Sequence, residues 1–325
     1  MSRQLCYRSG WRHSIRDEMA TGFYSHPVFL QHEMGEHHPE CPDRLRAIED
    51  QLIASRVDAF IEHRSAPRAT DAQLALVHTS AFIADLEARS PAQGYAMIDP
   101  DTIMNPHTLD AARHAAGAAI AATDAVLSGE LDNAFCSVRP PGHHAEPARA
   151  MGFCFYNNVA IAARHALEHH GLARVAVIDF DVHHGNGTEA AFRDDPRVLM
   201  CGIFQHPFYP YSGADCEAPN ILNTPVPAYT KGEHVRKIVE TVWLPKLRAF
   251  APEMVFISAG FDAHREDDMG LLGLVEADYA WITARLLEIA RECAHGRIVS
   301  CLEGGYNLSA LGRSVAAHLK VLAEG

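Results

Sequence analysis

No Cys-x-x-Cys pair occurs in the 325 residues, although eight cysteines are present: Cys6, Cys41, Cys136, Cys154, Cys201, Cys216, Cys293 and Cys301. Their scatter, several of them inside apolar strand-like runs, points to buried reduced thiols rather than a disulfide framework. No uninterrupted apolar run approaches the length that spans a bilayer. Residues 1–18 are polar and lack the apolar core of a signal peptide. These absences predict a cytoplasmic protein with no membrane partner. No Lys/Arg cluster marks a phosphate track, and the net charge is −13, which argues against a nucleic-acid partner. An acidic body can attract cationic ligands such as lysine tails or polyamines; it also simply keeps a protein in solution. There is no internal repeat, low-complexity tract or flexible linker, so one domain over residues 1–325 is expected.

What is present is ample core material, with 48% hydrophobic and 21% charged residues. Near-continuous apolar runs at 134–138, 174–179, 198–204, 254–259 and 298–302 read as buried strands. Helical periodicity lies between and around them, at 42–54, 80–88, 109–127, 157–169, 234–250, 276–294 and 308–323. Alternation of this kind predicts an α/β fold, a mostly parallel sheet with helices on both faces. Every polar, glycine-bearing motif follows one of the five strands, and open α/β sheets bind ligands outside the carboxyl ends of their strands.

The most informative motif is Asp-Phe-Asp-Val-His-His-Gly-Asn-Gly at 179–187. Asp181 and His183 lie two apart at a strand end, so an oxygen and a nitrogen donor can face one ion. Asp262, in Ala-Gly-Phe-Asp after the next strand but one, offers a third donor. Three such ligands with an open position describe a mononuclear catalytic zinc. The adjacent His143 and His144 follow the turn Pro140-Pro141-Gly142 and supply acid–base groups. One of the pair is expected to meet Asp179, whose charge favours the imidazolium. The other meets the neutral Asn186 and stays free to act as a base. Tyr306, framed by Gly304 and Gly305, is a candidate hydrogen-bond donor to a developing oxyanion.

Taken together, Pro-Pro-Gly-His-His, Gly-Phe-Cys-Phe-Tyr-Asn-Asn, Asp-Phe-Asp-Val-His-His-Gly-Asn-Gly, Ser-Ala-Gly-Phe-Asp and Glu-Gly-Gly-Tyr resemble the histone deacetylase superfamily. The likeness begins in His38-Pro39-Glu40-Cys41-Pro42-Asp43-Arg44-Leu45 and covers nearly the whole chain. Asn186 and the Glu-Gly-Gly-Tyr form place it nearer the class II branch, with its bacterial deacetylase-like amidohydrolases and acetylpolyamine amidohydrolases. The resemblance implies a zinc-dependent amide hydrolase on the arginase–deacetylase α/β fold. Zinc would sit on Asp181, His183 and Asp262. His144 would be general base and then general acid, His143 its electrostatic partner, and Tyr306 the carbonyl polariser. Gly152, Phe153 and Tyr209 would wall a narrow acyl-chain tunnel. The substrate would be an acetylated lysine peptide or protein, or a small acetylated amine; association into a homo-oligomer is known in such families and is left open.

The resemblance also implies structural potassium. A first ion would use Asp179 with backbone carbonyls of Asp181 and His183, near Gly202 and Ile203. A second would use backbone oxygens around Phe192, Asp195 and Val198. Gly202 stands where the family usually has a serine hydroxyl, and Tyr209 replaces the usual phenylalanine. Met269 falls at the acidic gatekeeper position of polyamine-selective members, which favours acetyl-lysine over acetylpolyamine; Asp17 and Glu18, or Glu266, Asp267 and Asp268, could supply rim acidity instead. An arginase-like two-metal site would need carboxylates where Gly185 and His264 stand. A catalytically silent scaffold would be expected to lack His144, Tyr306 or a metal ligand, and all are present.

Overall fold

The computed structural model describes residues 20–325. Asp17, Glu18 and Cys6 lie outside the described residues. The strands in chain order are β1 (Thr21–Ser25), β2 (Ile61–Ser65), the short pair β3 (Ala96–Asp99) and β4 (Thr102–Met104), then β5 (Asn133–Cys136) and β6 (Val175–Asp179). They continue as β7 (Val198–Gln205), β8 (Ile221–Val226), β9 (Val255–Ala259) and β10 (Ile298–Leu302). Eight of them form one sheet in the order β2-β1-β5-β10-β9-β6-β7-β8, and all seven pairings are parallel. The fold class expected from the alternation is therefore the one observed.

Every residue of β5, β6, β9 and β10 is buried, which requires cover on both faces. The helices Thr108–Ser128 and Asn158–Glu168 pack together over the central strands, and Asp43–Ser55, Glu276–Cys293 and Leu308–Glu324 form a second packed group. These helices and Ser80–Arg89 end within one residue of the positions that periodicity predicts. Among the described residues no helix is long and apolar enough to cross a membrane.

Several elements differ from expectation. β1, β2 and β8 carry no apolar run: Ile61-Glu-His-Arg-Ser exposes three of its five residues, and β8 contains Pro225. β2 and β8 are the two edges of the sheet, where polar residues and proline are tolerated. The helix expected over 234–250 begins at Gly232, is π-helical over Val239–Trp243 and resumes α-helically over Leu244–Phe250. Pro245 accounts for this, because it has no N–H to give the preceding turn.

In the sheet, β5, β10, β9, β6 and β7 are consecutive neighbours. Five loops scattered over about half the sequence are thereby set side by side along one sheet edge. That edge is where the chemistry-bearing motifs meet.

Candidate active site

Asp181, His183 and Asp262 come together at the carboxyl ends of β6 and β9, all buried, with one potential ligand atom from each lying within 4.8 Å of the others. His183 Nδ1 is 3.0 Å from Asp181 Oδ1 and 3.3 Å from Asp262 Oδ2. The other carboxylate oxygens are held by the backbone: Gly304 N–H donates to Asp181 Oδ2 (2.8 Å) and Val182 N–H to Asp262 Oδ1 (2.9 Å). Asp262 Oδ2 is buried and accepts no hydrogen bond. Burial, then the charge of Asp181, pushes the Asp262 carboxyl up to about 7. Burial alone would lower His183, but its hydrogen bond to Asp181 and the adjacent Asp262 carboxylate raise it to about 10. Two carboxylates crowded around one imidazole, with an orphaned buried oxygen between them, are a set that a divalent cation satisfies and a proton satisfies poorly. The donor set fits zinc.

Gly304 makes this arrangement possible. A Cβ there would collide with the carboxylate oxygens of Asp262 and Asp181, so only glycine lets the β10 loop pass the two ligands. Gly152 is required for two reasons. Its φ of +58° is left-handed, and a Cβ would strike the His144 ring.

The histidine pair separates electrostatically. His143 Nδ1–H donates to Asp179 Oδ2 (3.0 Å), and its Nε2 lies 3.8 Å from Asp181 Oδ2. Burial opposes charging His143, yet Asp181 and Asp179 hold its pKa well above the usual imidazole range. His144 Nδ1–H donates to Asn186 Oδ1 (2.8 Å). Burial first, then the neighbouring His143 and His183, hold His144 well below the usual range. Asn186 is oriented by donating from Nδ2 to Glu146 Oε1 (2.8 Å). This fixes its oxygen toward His144 and the proton of His144 on Nδ1, so Nε2 keeps a free lone pair.

Buried polar side chains brace the loops. Glu303 Oε2 accepts from the backbone of Gly142 (2.7 Å) and His143 (3.0 Å), tying the β10 loop to the histidine turn. Asn157 caps its helix at Ala160 and reaches Thr188 Oγ1 (3.1 Å), while Asn158 donates to Pro140 O (3.2 Å). Arg44 donates to the carbonyls of Gly305 and Glu303 and lies 4.8 Å over the Tyr306 ring. Asp267 Oδ2 accepts from Tyr306 N (2.6 Å) and Asn307 N (2.9 Å). Local sequence reading misses the role of Asp267, because its partners lie some forty residues on.

A cavity of about 320 Å³ opens onto the cluster, lined by His144, His183, Gly152, Phe153, Tyr209, Met269 and Tyr306 as well as Phe208, Asp101 and Asp268. Gly152, Phe153 and Tyr209, expected as tunnel walls, and Met269, at the expected gatekeeper position, are all among its lining. Phe208 was not anticipated; its ring stacks on His183 at 5.4 Å and 18°. Asp101, in the turn between β3 and β4, was equally hidden. Burial first, with Asp101 second, pushes the Tyr209 hydroxyl above the usual phenol range.

The residues of the expected potassium sites are also placed. Asp179, Gly202 and Asn223 lie in one row across β6, β7 and β8. Gly202 brings no hydroxyl, but Asn223 Oδ1 is buried without a hydrogen-bond partner, 3.6 Å from the point a Cβ of Gly202 would occupy. The carbonyls of Phe192, Asp195 and Val198 do converge, and what they meet is Asn220 Nδ2.

Comparison with known proteins gives the chain a family. The histone deacetylase domain profile matches residues 38–322. The chain belongs to the histone deacetylase family. It is 37% identical over 311 residues to a histone deacetylase-like amidohydrolase of Pseudomonas aeruginosa, covering 88% of this chain and 82% of that one. It is 37% identical over 307 residues to the mouse polyamine deacetylase HDAC10, covering 87% of this chain and 44% of the relative. The crystal structure of the HDA15 HD domain superposes with a TM-score of 0.88 at 35% identity, covering 94% of this chain and 88% of that chain.

Proposed function

We propose that the protein is a zinc-dependent amidohydrolase that removes acetyl groups from lysine-type amines. One observation carries the reading: His144, Tyr306 and His183, the last clustered with Asp181 and Asp262, all line one cavity. Zinc, held by those three side chains, would acidify a water and polarise the acyl carbonyl.

The chain's own residues supply the rest. His144 Nε2 takes a proton from the attacking water, and Asn186 keeps the ring in the tautomer that can do so. The charged His143 beside it, ring centroids 4.0 Å apart, keeps that proton mobile. His144 then passes it to the departing nitrogen as the amide C–N bond breaks, leaving acetate and a free amine. Burial holds the Tyr306 phenol well above its usual pKa, so it stays protonated and donates to the oxygen that gains charge. Phe153, Phe208 and Tyr209 form an apolar sleeve for the methylene stem of the substrate.

A second reading is supported by Asp101 and Asp268, two carboxylates lining the same cavity. They offer a cationic substrate the acidity that Met269 lacks, and thus favour an acetylated polyamine. The deciding experiment compares kcat/KM for an acetyl-lysine peptide, acetylputrescine and acetylspermidine, with and without a zinc chelator. Turnover of the peptide that the chelator abolishes and added zinc restores is the expected result. A large preference for acetylpolyamines would transfer the assignment to the second reading. No hydrolysis of any of them by zinc-loaded enzyme would end both.

A further inference from the structure

Three backbone carbonyl oxygens, those of Phe192, Asp195 and Val198, aim at one point where the helix Asn186–Phe192 turns into β7. The turn itself directs them. Asp195 N–H donates to Phe192 O (2.9 Å) and Val198 N–H to Asp195 O (3.1 Å), so carbonyls three residues apart emerge on one side. Each carbonyl keeps a second lone pair. Three such oxygens facing one another repel unless a positive group lies among them, and such a group can be a cation or a donor.

Asn220, the residue before β8, supplies the donor. Its Nδ2 lies 2.7 Å from Phe192 O, 3.1 Å from Asp195 O and 3.1 Å from Val198 O. Its own carbonyl accepts from Met200 N (2.9 Å) on β7, so the sheet aims the side chain. The orientation of the amide is dictated by these acceptors. With the group reversed, Oδ1 would face three oxygens and only a cation could hold them together.

We propose that Asn220 is a built-in substitute for a monovalent cation: its amide neutralises the three carbonyls, and this point binds no potassium ion. The second potassium implied by resemblance does not fit the residues present. The arrangement bears on the active site, because the same short helix starts at Asn186, the partner of His144. In this chain that helix is anchored without a counter-ion, so potassium depletion leaves its anchorage intact.

Thallous ions report potassium sites by anomalous scattering, which makes the proposal directly testable. Crystals of the wild type soaked in a thallous salt should show no anomalous peak among the three carbonyls. Asn220→Ala and Asn220→Asp, which remove the amide donor, should each show one. Thermal unfolding in KCl against tetramethylammonium chloride at equal ionic strength gives a second readout. Both variants should gain a potassium-specific rise in Tm of about 2 °C or more over that of the wild type. A thallium peak at this point in the wild type would overturn the proposal, as would identical potassium responses in all three proteins. If Asn220→Ala fails to fold, the wild-type crystal and Asn220→Asp still decide.

Discussion

Replacing Asn186 with aspartate preserves the shape of the group that holds His144 and changes only its charge. Asn186 Oδ1 accepts from His144 Nδ1 at 2.8 Å, and aspartate can keep that bond. At an effective dielectric of about 20, a carboxylate about 3 Å from an imidazolium favours it by about 5 kcal/mol. The gain is partly cancelled here. Glu146 Oε1 lies 2.8 Å from Asn186 Nδ2 and would repel the new charge, while His143 and His183 still disfavour a proton on His144. A net rise of about 1–3 units in the His144 pKa is therefore expected. A base with a raised pKa is protonated over more of the acidic range, so the acidic limb of kcat/KM against pH should move up by the same amount. Below the new pKa each unit costs about tenfold in rate. The assay is a kcat/KM–pH profile on an acetyl-lysine peptide, with zinc content measured in parallel. An unmoved acidic limb in a variant that holds its zinc would show that His144 is not the base.

Other substitutions probe the remaining parts. Tyr306→Phe should lower kcat by about 10²–10³-fold while zinc content, read by mass spectrometry, stays at the wild-type level; full activity would remove Tyr306 from the reaction. Gly304→Ala forces a methyl group onto the oxygens of Asp262 and Asp181, and zinc affinity in a competition titration should fall by about 10–100-fold. Unchanged affinity would mean that the loop can shift without moving the ligands. Glu40 is buried between Arg139 and Arg44, and Glu40→Gln should cost about 3–5 kcal/mol in urea unfolding, since two guanidinium groups lose their counter-charge. Burial would raise Glu40, but chiefly Arg139 and His32 hold it well below the usual carboxylate range. Its contribution is therefore complete above the unfolded pKa of about 4.3 and fades as pH falls below it. The stability gap between wild type and Glu40→Gln should narrow toward acid; a gap that widens would contradict the ion-pair account.

The parts of the fold that were readable from sequence are those where one physical cause dominates. β5, β6, β9 and β10 are buried on both faces, so their apolar runs announce them, whereas β2 and β8 satisfy half their backbone with solvent and carry Glu62, Arg64 and Pro225 without penalty. Helix limits followed from periodicity because caps such as Asn157 and Asn307 sit where the apolar pattern begins. The site was legible to the extent that its motifs are local. Asp181 and His183 share one strand end, and His143 and His144 one turn. Phe208, Asp101 and Asp267 enter from loops whose partners are distant, and no spacing signals them. Asn220 and Asn223 are the same case. Their meaning lies in which buried oxygen or nitrogen each faces, which only the pairing of β7 with β8 determines.

The central claim is that Asp181, His183 and Asp262 together hold one divalent ion. Metal analysis of the purified protein, after loading with zinc and exhaustive dialysis, tests it with the wild type beside Asp181→Ala. The account predicts one tightly held zinc per chain in the wild type and its loss in the variant. A wild-type protein that retains no zinc, or an Asp181→Ala protein that retains as much, would contradict it.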